Sequence, residues 1–403
     1  MLYGEAHLSG WISPLLDTPP FRRLSGVSLS DVPGEMLFQH PFPTRLDHAR
    51  GVYALARAAR PRDRALHVAA LAHDLGHGPF SHLTEPLMIE RLAVDHEQRS
   101  TLLLKHVRTS LTPAAVRQMT WIDWDEVAAL MLGQTSDGRG ALLNGLMDYD
   151  NLDNVARFLL ASGLGSPHYD PRQLARSLRP WAPSLSAAGA ALSASSGVVL
   201  LPDGADGALA WLADRVTVYT WLHQGHRNLA SHAMLRKAVD LAAQANALPV
   251  SFFDMTDSAA LSFLCRRENT GQASLVEQLV RDSLYICVWE AEIPHGQTAI
   301  IDLFGRWRDR LALEGVLAAE AGLAPHEVVA VVLASSAYRE LPPLLTANGN
   351  TRMQEQPPDA TPHIFHVFAV PSAGRDYQRR LQMAAERHLG AMGAAPLRTV
   401  AHE

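Results

Sequence analysis

The stretch Ala72-His73-Asp74-Leu75-Gly76-His77-Gly78-Pro79-Phe80-Ser81-His82 gathers three histidines and an aspartate among glycines. Such a set offers ligands for a metal ion and titratable groups for proton transfer. An apolar helix is predicted from Ala65 to Leu75, broken by Gly76, Gly78 and Pro79. A helix that stops there projects its last side chains into a cleft. Neighbouring helical positions lie about 100° apart, so His73 and Asp74 can both reach one cation, and His77 follows one turn later. An imidazole beside a carboxylate suits a divalent metal of borderline hardness. A single His-Asp pair could merely cap a helix; this many histidines exceed what capping needs.

The flanking elements must position more of the same chemistry. Pro41-Phe42-Pro43 forces an extended approach, after which Thr44 can cap a helix holding Arg45, His48, Val52, Leu55 and Ala56. Arg45 and His48 are three apart and face the same way. A short helix is expected from Pro86 to Leu92. Asp95-His96-Glu97 opens another that runs through Leu104 to His106, and Trp121 to Leu132 reads as a further amphipathic helix. Between Ala141 and Leu160, Asp148, Asp150 and Asp153 sit among apolar residues, more carboxylate than a surface helix needs. An acidic first helical turn, favoured by the dipole, is the competing reading.

The run AHDLGHGPFSH, with Thr44-Arg45-Leu46-Asp47-His48 before it and His96-Glu97 after, resembles the HD-domain metal-dependent phosphohydrolases. Within them it is most similar to the deoxynucleoside triphosphate triphosphohydrolase branch, which includes dGTPase-like bacterial proteins. The resemblance implies a metal site of His48, His73, Asp74 and Asp150, the last being the middle residue of an Asp-x-Asp-x-x-Asp segment. Mixed nitrogen and oxygen donors without thiolate fit Mn, Fe, Co, Ni or Mg better than structural zinc. The metal would polarise the phosphorus centre and lower the pKa of water.

By the same resemblance His82 would protonate the leaving oxygen, with His77 and His96 flanking the phosphate and Glu85 and Glu97 orienting them. Arg45 would neutralise a nonbridging oxygen. The family's phosphate-binding lysine, tyrosine and sugar-reading aspartate fall at Asn151, Asn154 and Phe158, and its glutamine after an Arg-Leu turn is replaced near Leu29 or Ser30. His223 and Arg227, in a cluster with His226 and His232, are candidate phosphate contacts. The implied reaction is hydrolysis of a nucleotide to nucleoside and triphosphate, with an altered or modified substrate. Stepwise phosphate release from a nucleotide-like metabolite and noncatalytic nucleotide sensing are the alternatives.

Bulk properties bound these readings. The chain has 403 residues, 47% hydrophobic and 19% charged, with a formal net charge of −6. No run is long and apolar enough to span a membrane, and Met1-Leu2-Tyr3-Gly4-Glu5 does not read as a signal peptide. Cys265 and Cys287 read as reduced residues of a cytoplasmic protein. The lack of a basic block argues against nucleic acid as the main partner. A homo-oligomer is implied by family analogy.

The fold expected is mostly α: an HD-domain helical core over 1–294 and a smaller C-terminal α+β module over 295–403. Residues 171–194 read as irregular, 198–201 as a strand and 208–245 as one long helical run. Asp254 to Asp257 caps the next helix, and another follows at 273–280, continuing through Arg281 and Tyr285. In the last module, strands are expected at 300–301, 328–333 and 364–370, helices at 310–322 and 375–389, and a polar loop at 348–362.

Overall fold

The computed structural model describes residues 10–38, 41–181, 197–266, 270–294, 298–332, 339–346, 351–353 and 363–397. Over these residues the chain is mostly helical, with two small sheets. Thr44 starts the helix Arg45–Ala59 with a capping box: its hydroxyl accepts from the Asp47 amide, and the Asp47 carboxylate accepts from the Thr44 amide. Ala49, Val52, Tyr53, Leu55 and Ala56 bury one side of this helix. It packs against Arg64–Ala72, Tyr149–Ala161 and Pro171–Ser177. Gly51 lets Tyr149–Ala161 approach, since a Cβ there would strike the side chains of Asp153 and Arg157.

Helix Arg64–Ala72 stops three residues before the expected Leu75, and the backbone turns through 73–76. Gly76 is required at the turn because a Cβ would lie 2.0 Å from the His96 carbonyl oxygen. Beyond it, Phe80 and Ser81 are both left-handed, at φ 62° and 49°, uncommon for residues with a Cβ. Asp257 secures them by accepting from the Phe80 amide at 2.8 Å and the Ser28 amide at 2.7 Å. The chain then forms Glu85–Leu92 and His96–Ser110, the latter started by an Asp95–Gln98 capping box.

Several elements differ from the expectations. The helix predicted from Trp121 begins at Trp124, because the Asp123 carboxylate caps it. The long run at 208–245 is two helices, Ala205–Gln224 and His226–Gln244, divided at Gly225, and the helix expected to continue through Tyr285 is Thr270–Val280, ended before Asp282 turns left-handed at φ 58°. Residues 171–181 are a helix and the strand Leu178–Pro180 rather than irregular; 182–196 lie outside the described residues. Ile300 and Ile301 belong to the helix Thr298–Gly305, not a strand: Ile300 and Phe304, four apart, are both buried, which is the helical period. The strands Val328–Val332 and His363–Ala369 and the helices Trp307–Ala321 and Arg375–Gly390 match their expected positions within a few residues; position 333 lies outside the described residues. Within 348–362, Thr351–Arg352 is a short strand, and 348–350 and 354–362 lie outside the described residues.

Strand Val198–Leu200 pairs antiparallel with Leu178–Pro180 and parallel with Leu344–Leu345, which continues to Thr351–Arg352. The second sheet runs Val328–Val332, His363–Ala369, Ile286–Ile293, Ala395–Pro396. Ile286–Ile293, which precedes residue 295, is central in that sheet. One apolar cluster joins the helices of the N-terminal half; the other joins His226–Gln244 and its neighbours to the second sheet.

Lys237 fixes that second junction. Its ammonium is buried 2.9 Å from Glu314 and donates to the Val328 carbonyl at 2.5 Å and to the Pro325 carbonyl. Glu314 also accepts from the Ala330 amide. Lys237→Met strands a buried carboxylate and is expected to cost about 3–5 kcal/mol in urea denaturation. Adding Glu314→Gln should recover most of it; a single variant as stable as the parent would contradict this account.

Candidate metal and acid–base site

Asp74 is the hub. One oxygen lies 2.9 Å from an Arg45 nitrogen and 3.8 Å from His48 Nε2. The other lies 3.4 Å from His73 Nε2 and 3.3 Å from His77 Nε2. Burial would raise its pKa, but His73, Arg45 and His77 hold it well below the usual carboxylate range. From the facing helix, Asp150 presents an oxygen 2.8 Å from His48 Nε2 and 3.9 Å from His73 Nε2. All four residues expected as ligands therefore converge.

The residues fit a divalent cation. His73 Nδ1 donates to the Ala70 carbonyl at 2.9 Å, which leaves a lone pair on Nε2, and that buried atom has no hydrogen-bond partner. His48 shows the same pressure: burial opposes its charge, yet hydrogen bonds to Asp150 and Asp153 carry its pKa up to about 9. A cation among these carboxylates would take the place of that proton. Donors each about 2.1 Å from one ion stand roughly 3–3.5 Å apart, close to the spacings here.

Three aspartates on one helix start do three different things. Asp148 caps the helix, accepting from the Asn151 amide at 2.7 Å and the Gly145 amide at 2.8 Å, and burial beside Asp150 pushes it up to about 7. Asp150 faces the histidines. Asp153 accepts from His48 Nδ1 at 2.7 Å and is clamped by two Arg157 hydrogen bonds at 2.8 Å, so despite burial it is held at about 2. Asp153 thus fixes the His48 ring, with Nε2 turned to Asp150. Neither Asp153 nor Arg157 was among the expected site residues, although their i, i+4 spacing is visible.

Against this group lies a second one. His77, His82 and His96 form a cluster: His96 stacks on His77 at 4.0 Å, and His82 meets both rings edge-on. Glu85 ties them, accepting from His82 Nδ1 at 2.9 Å and His96 Nδ1 at 2.5 Å. Those bonds hold Glu85 below the usual range against its burial and raise His96 against its own. His77 is pushed well down by burial, Arg45 and His96, and its Nε2 lacks a hydrogen-bond partner. His82 is half exposed, and the Glu85 bond at Nδ1 leaves its Nε2 for proton exchange. Glu97 lies apart from these bonds and pairs with Asn144; burial raises its pKa.

The expected substrate contacts are spread more widely. Arg45 is buried, with Nε on Ser81 and a terminal nitrogen on Asp74. Asn151 bridges Asp148 and Arg215, accepting from Arg215 at 3.1 Å. Asn154 has a buried oxygen without a hydrogen-bond partner. Phe158 is in the core against Phe42. His223 packs edge-on to Tyr219, and burial and His232 push it down to about 4. Arg227 holds the carbonyls of Met36 and Leu37 and the Asp282 carboxylate, a structural position.

Residues outside the expected set complete the surroundings. Arg215 is buried over the Tyr219 ring at 4.0 Å and donates to Asn151, with Nε unpartnered. Asp31 accepts from the His82 amide at 3.1 Å and faces His232 Nε2 at 3.5 Å. The contacts of Arg215 with Asn151 and of Asp31 with His82 and His232 join segments far apart in sequence, so no local spacing announces them.

Residues 45–160 match the HD domain family model. The chain is 30% identical over 127 residues to the human deoxynucleoside triphosphate triphosphohydrolase SAMHD1, covering 27% of this chain and 20% of that protein. It is 27% identical over 186 residues to the uncharacterized protein YwfO of Bacillus subtilis, covering 41% and 40%, respectively. To the putative HD domain-containing protein L394 of Acanthamoeba polyphaga mimivirus it is 26% identical over 202 residues, 41% of this chain and 43% of that protein. Less than half of each relative is spanned. No helix among the described residues is long and apolar enough to cross a membrane.

The Glu85–His96 pair carries a pH signature. Glu85, depressed in the fold, contributes fully above its ordinary pKa of 4.5, and that contribution is lost as pH falls through its folded value. His96, raised in the fold, contributes fully below 6.5, and that contribution is lost as pH rises through its folded value. The stability difference between parent and Glu85→Gln should therefore be greatest between pH 4.5 and 6.5. By NMR titration the variant's His96 should move down toward the ordinary histidine range; an unmoved His96 would refute the coupling.

Proposed function

We propose that this chain, which carries an HD domain over residues 45–160, is a metal-dependent phosphohydrolase acting on nucleotides. The observation that carries the reading is the 3.3 Å approach of His77 to Asp74, which joins the ligand set to the histidine cluster. His48, His73, Asp74 and Asp150 would hold the cation, of the Mn, Fe, Co, Ni or Mg class. When bound, it would supply Lewis-acid polarisation of a phosphoryl group and of water. His82, oriented through Nδ1 by Glu85, would give its proton to the leaving oxygen. A protonated His96 would add positive charge beside the phosphate, and neutral His77 would fill the space between them. The named activity of the human relative supports release of triphosphate. Assembly into a homo-oligomer and a cytoplasmic location belong to this proposal, as does a helical core over 1–294 with a C-terminal module over 295–403.

The substrate is proposed to differ from an ordinary deoxynucleoside triphosphate. Asn151 carries a dipole where the resemblance leads one to expect a lysine's charge, and it is committed to Asp148 and Arg215. Its effect would be to aim Arg215, a buried cation, at an anionic group. Phe158, set into the core, cannot accept a hydrogen bond from a sugar hydroxyl, so a site of this kind would not reject the analogue lacking it.

Two measurements test the reading. Asp74→Ala should lose the bound transition metal and all turnover while retaining helical circular dichroism; a full equivalent of metal by elemental analysis would refute the ligand assignment. His82→Ala should keep its metal and lose about 10²-fold or more in kcat. Separately, kcat/KM and products are compared across standard dNTPs and mono-, di- and modified nucleotides. The expected outcome is low, relaxed activity on the standard set and higher activity on a modified or less phosphorylated nucleotide. High, selective triphosphate release from one standard dNTP would overturn the substrate proposal alone.

A further inference from the structure

Away from the HD site, four side chains with metal-binding atoms meet between the C-terminal sheet and a helix start. In a regular strand Cys287 and Glu290 would point to opposite faces. A register shift between Cys287 and Trp289 cancels that alternation, so Cys287 pairs with Phe368 and Glu290 with His366 on one face of the sheet. There Glu290 Oε1 lies 3.6 Å from Cys287 Sγ and 3.5 Å from His366 Nε2. His226, the first residue of the helix His226–Gln244, donates through Nε2 to the same oxygen. Its ring stands 5.7 Å from that of His366. The donor atoms of His226, Cys287 and Glu290 all lie within 4.8 Å of one another.

We infer that His226, Cys287, Glu290 and His366 form a second metal site, of the zinc class, which fastens the start of the His226–Gln244 helix to the C-terminal sheet. Two imidazoles, a thiolate and a carboxylate are a four-donor set suited to tetrahedral zinc, and the thiolate separates this site from the oxygen-rich HD site. Binding releases the Cys287 proton to solvent; the thiolate, the carboxylate and the dication then sum to zero charge, which suits a pocket where His366 is only 2% exposed. A plain His–Glu–His bridge explains the imidazoles but gives no role to the thiol or to the bulge that turns it inward. Phe368, edge-on to His226, supplies an apolar wall. The half-exposed His226 leaves a route for the ion.

The full chain, stripped with chelator, is titrated with Co²⁺ and followed by absorption. A thiolate-to-cobalt charge-transfer band with the intense visible bands of a tetrahedral centre, saturating at about one equivalent, is the expected result. Cys287→Ser should abolish the charge-transfer band, and His226→Ala, at an exposed position that folding tolerates, should weaken cobalt binding by about tenfold or more. Asp74→Ala should leave the band intact, so loss of the HD metal is distinguished from loss of this one. Zinc content of protein purified without chelator should fall by one equivalent in Cys287→Ser. Absence of any charge-transfer band, or a band that survives Cys287→Ser and so belongs to Cys265, would overturn the inference.

Discussion

A buried carboxylate that cannot stay ionised alone organises this molecule. Asp74 is 2% exposed, and taking its charge out of water costs several kcal/mol unless positive groups surround it. Arg45 and His48 come from one helix, His73 and His77 from the turn around Asp74 itself, and Asp150 faces His48 from a third element. Arg45 and the three histidines must each arrive within ion-pairing distance of Asp74. The capping box at Thr44, the stop after Ala72 and the Asp148 cap serve that single requirement. The lone pair on His73 Nε2, buried without a hydrogen-bond partner between Asp74 and Asp150, gives that centre a place for a cation.

Around that centre, polar groups act on the backbone more than on one another. Asp257 takes the amides of Ser28 and Phe80, Asp31 the amide of His82, and Ser100 the amide of Gly76. These bonds hold the left-handed pair Phe80–Ser81 in a conformation that costs of order 1–3 kcal/mol per residue. Burial pushes Asp257 up to about 6, so that support is itself obtained against a desolvation penalty. The cost is met where orientation of His82 matters most.

Local rules made part of this legible. His73-Asp74, the glycine breaks and Thr44 with Asp47 three residues on are short-range signals, and the structure has the elements they call for. Asp148, Asp150 and Asp153 look alike in the sequence; only the neighbour each meets separates a cap, a carboxylate facing the histidines and a support for His48. Asp31, Arg215 and Asp257 act across long sequence separations, where spacing carries no information. Ile300 shows the opposite failure, since a short apolar run reads equally as strand or buried helix. The strand Ile286–Ile293 has no clean sequence signal because its bulge breaks the alternation that marks a strand.

The smaller sheet has a consequence for how the protein is made. Leu200 pairs with Leu344, and the Leu200 amide donates to the Pro343 carbonyl, so a strand beside the helical core waits for a segment from the last part of the chain. Bringing such distant residues together carries a loop-closure cost that local helices do not bear. As the chain leaves the ribosome, the helices around Asp74 can associate early, but the edge of Val198–Leu200 stays open until translation has passed residue 344. Until then that edge is a template for pairing with another nascent chain, which makes the order of synthesis, as much as the final packing, part of what keeps this protein from aggregating.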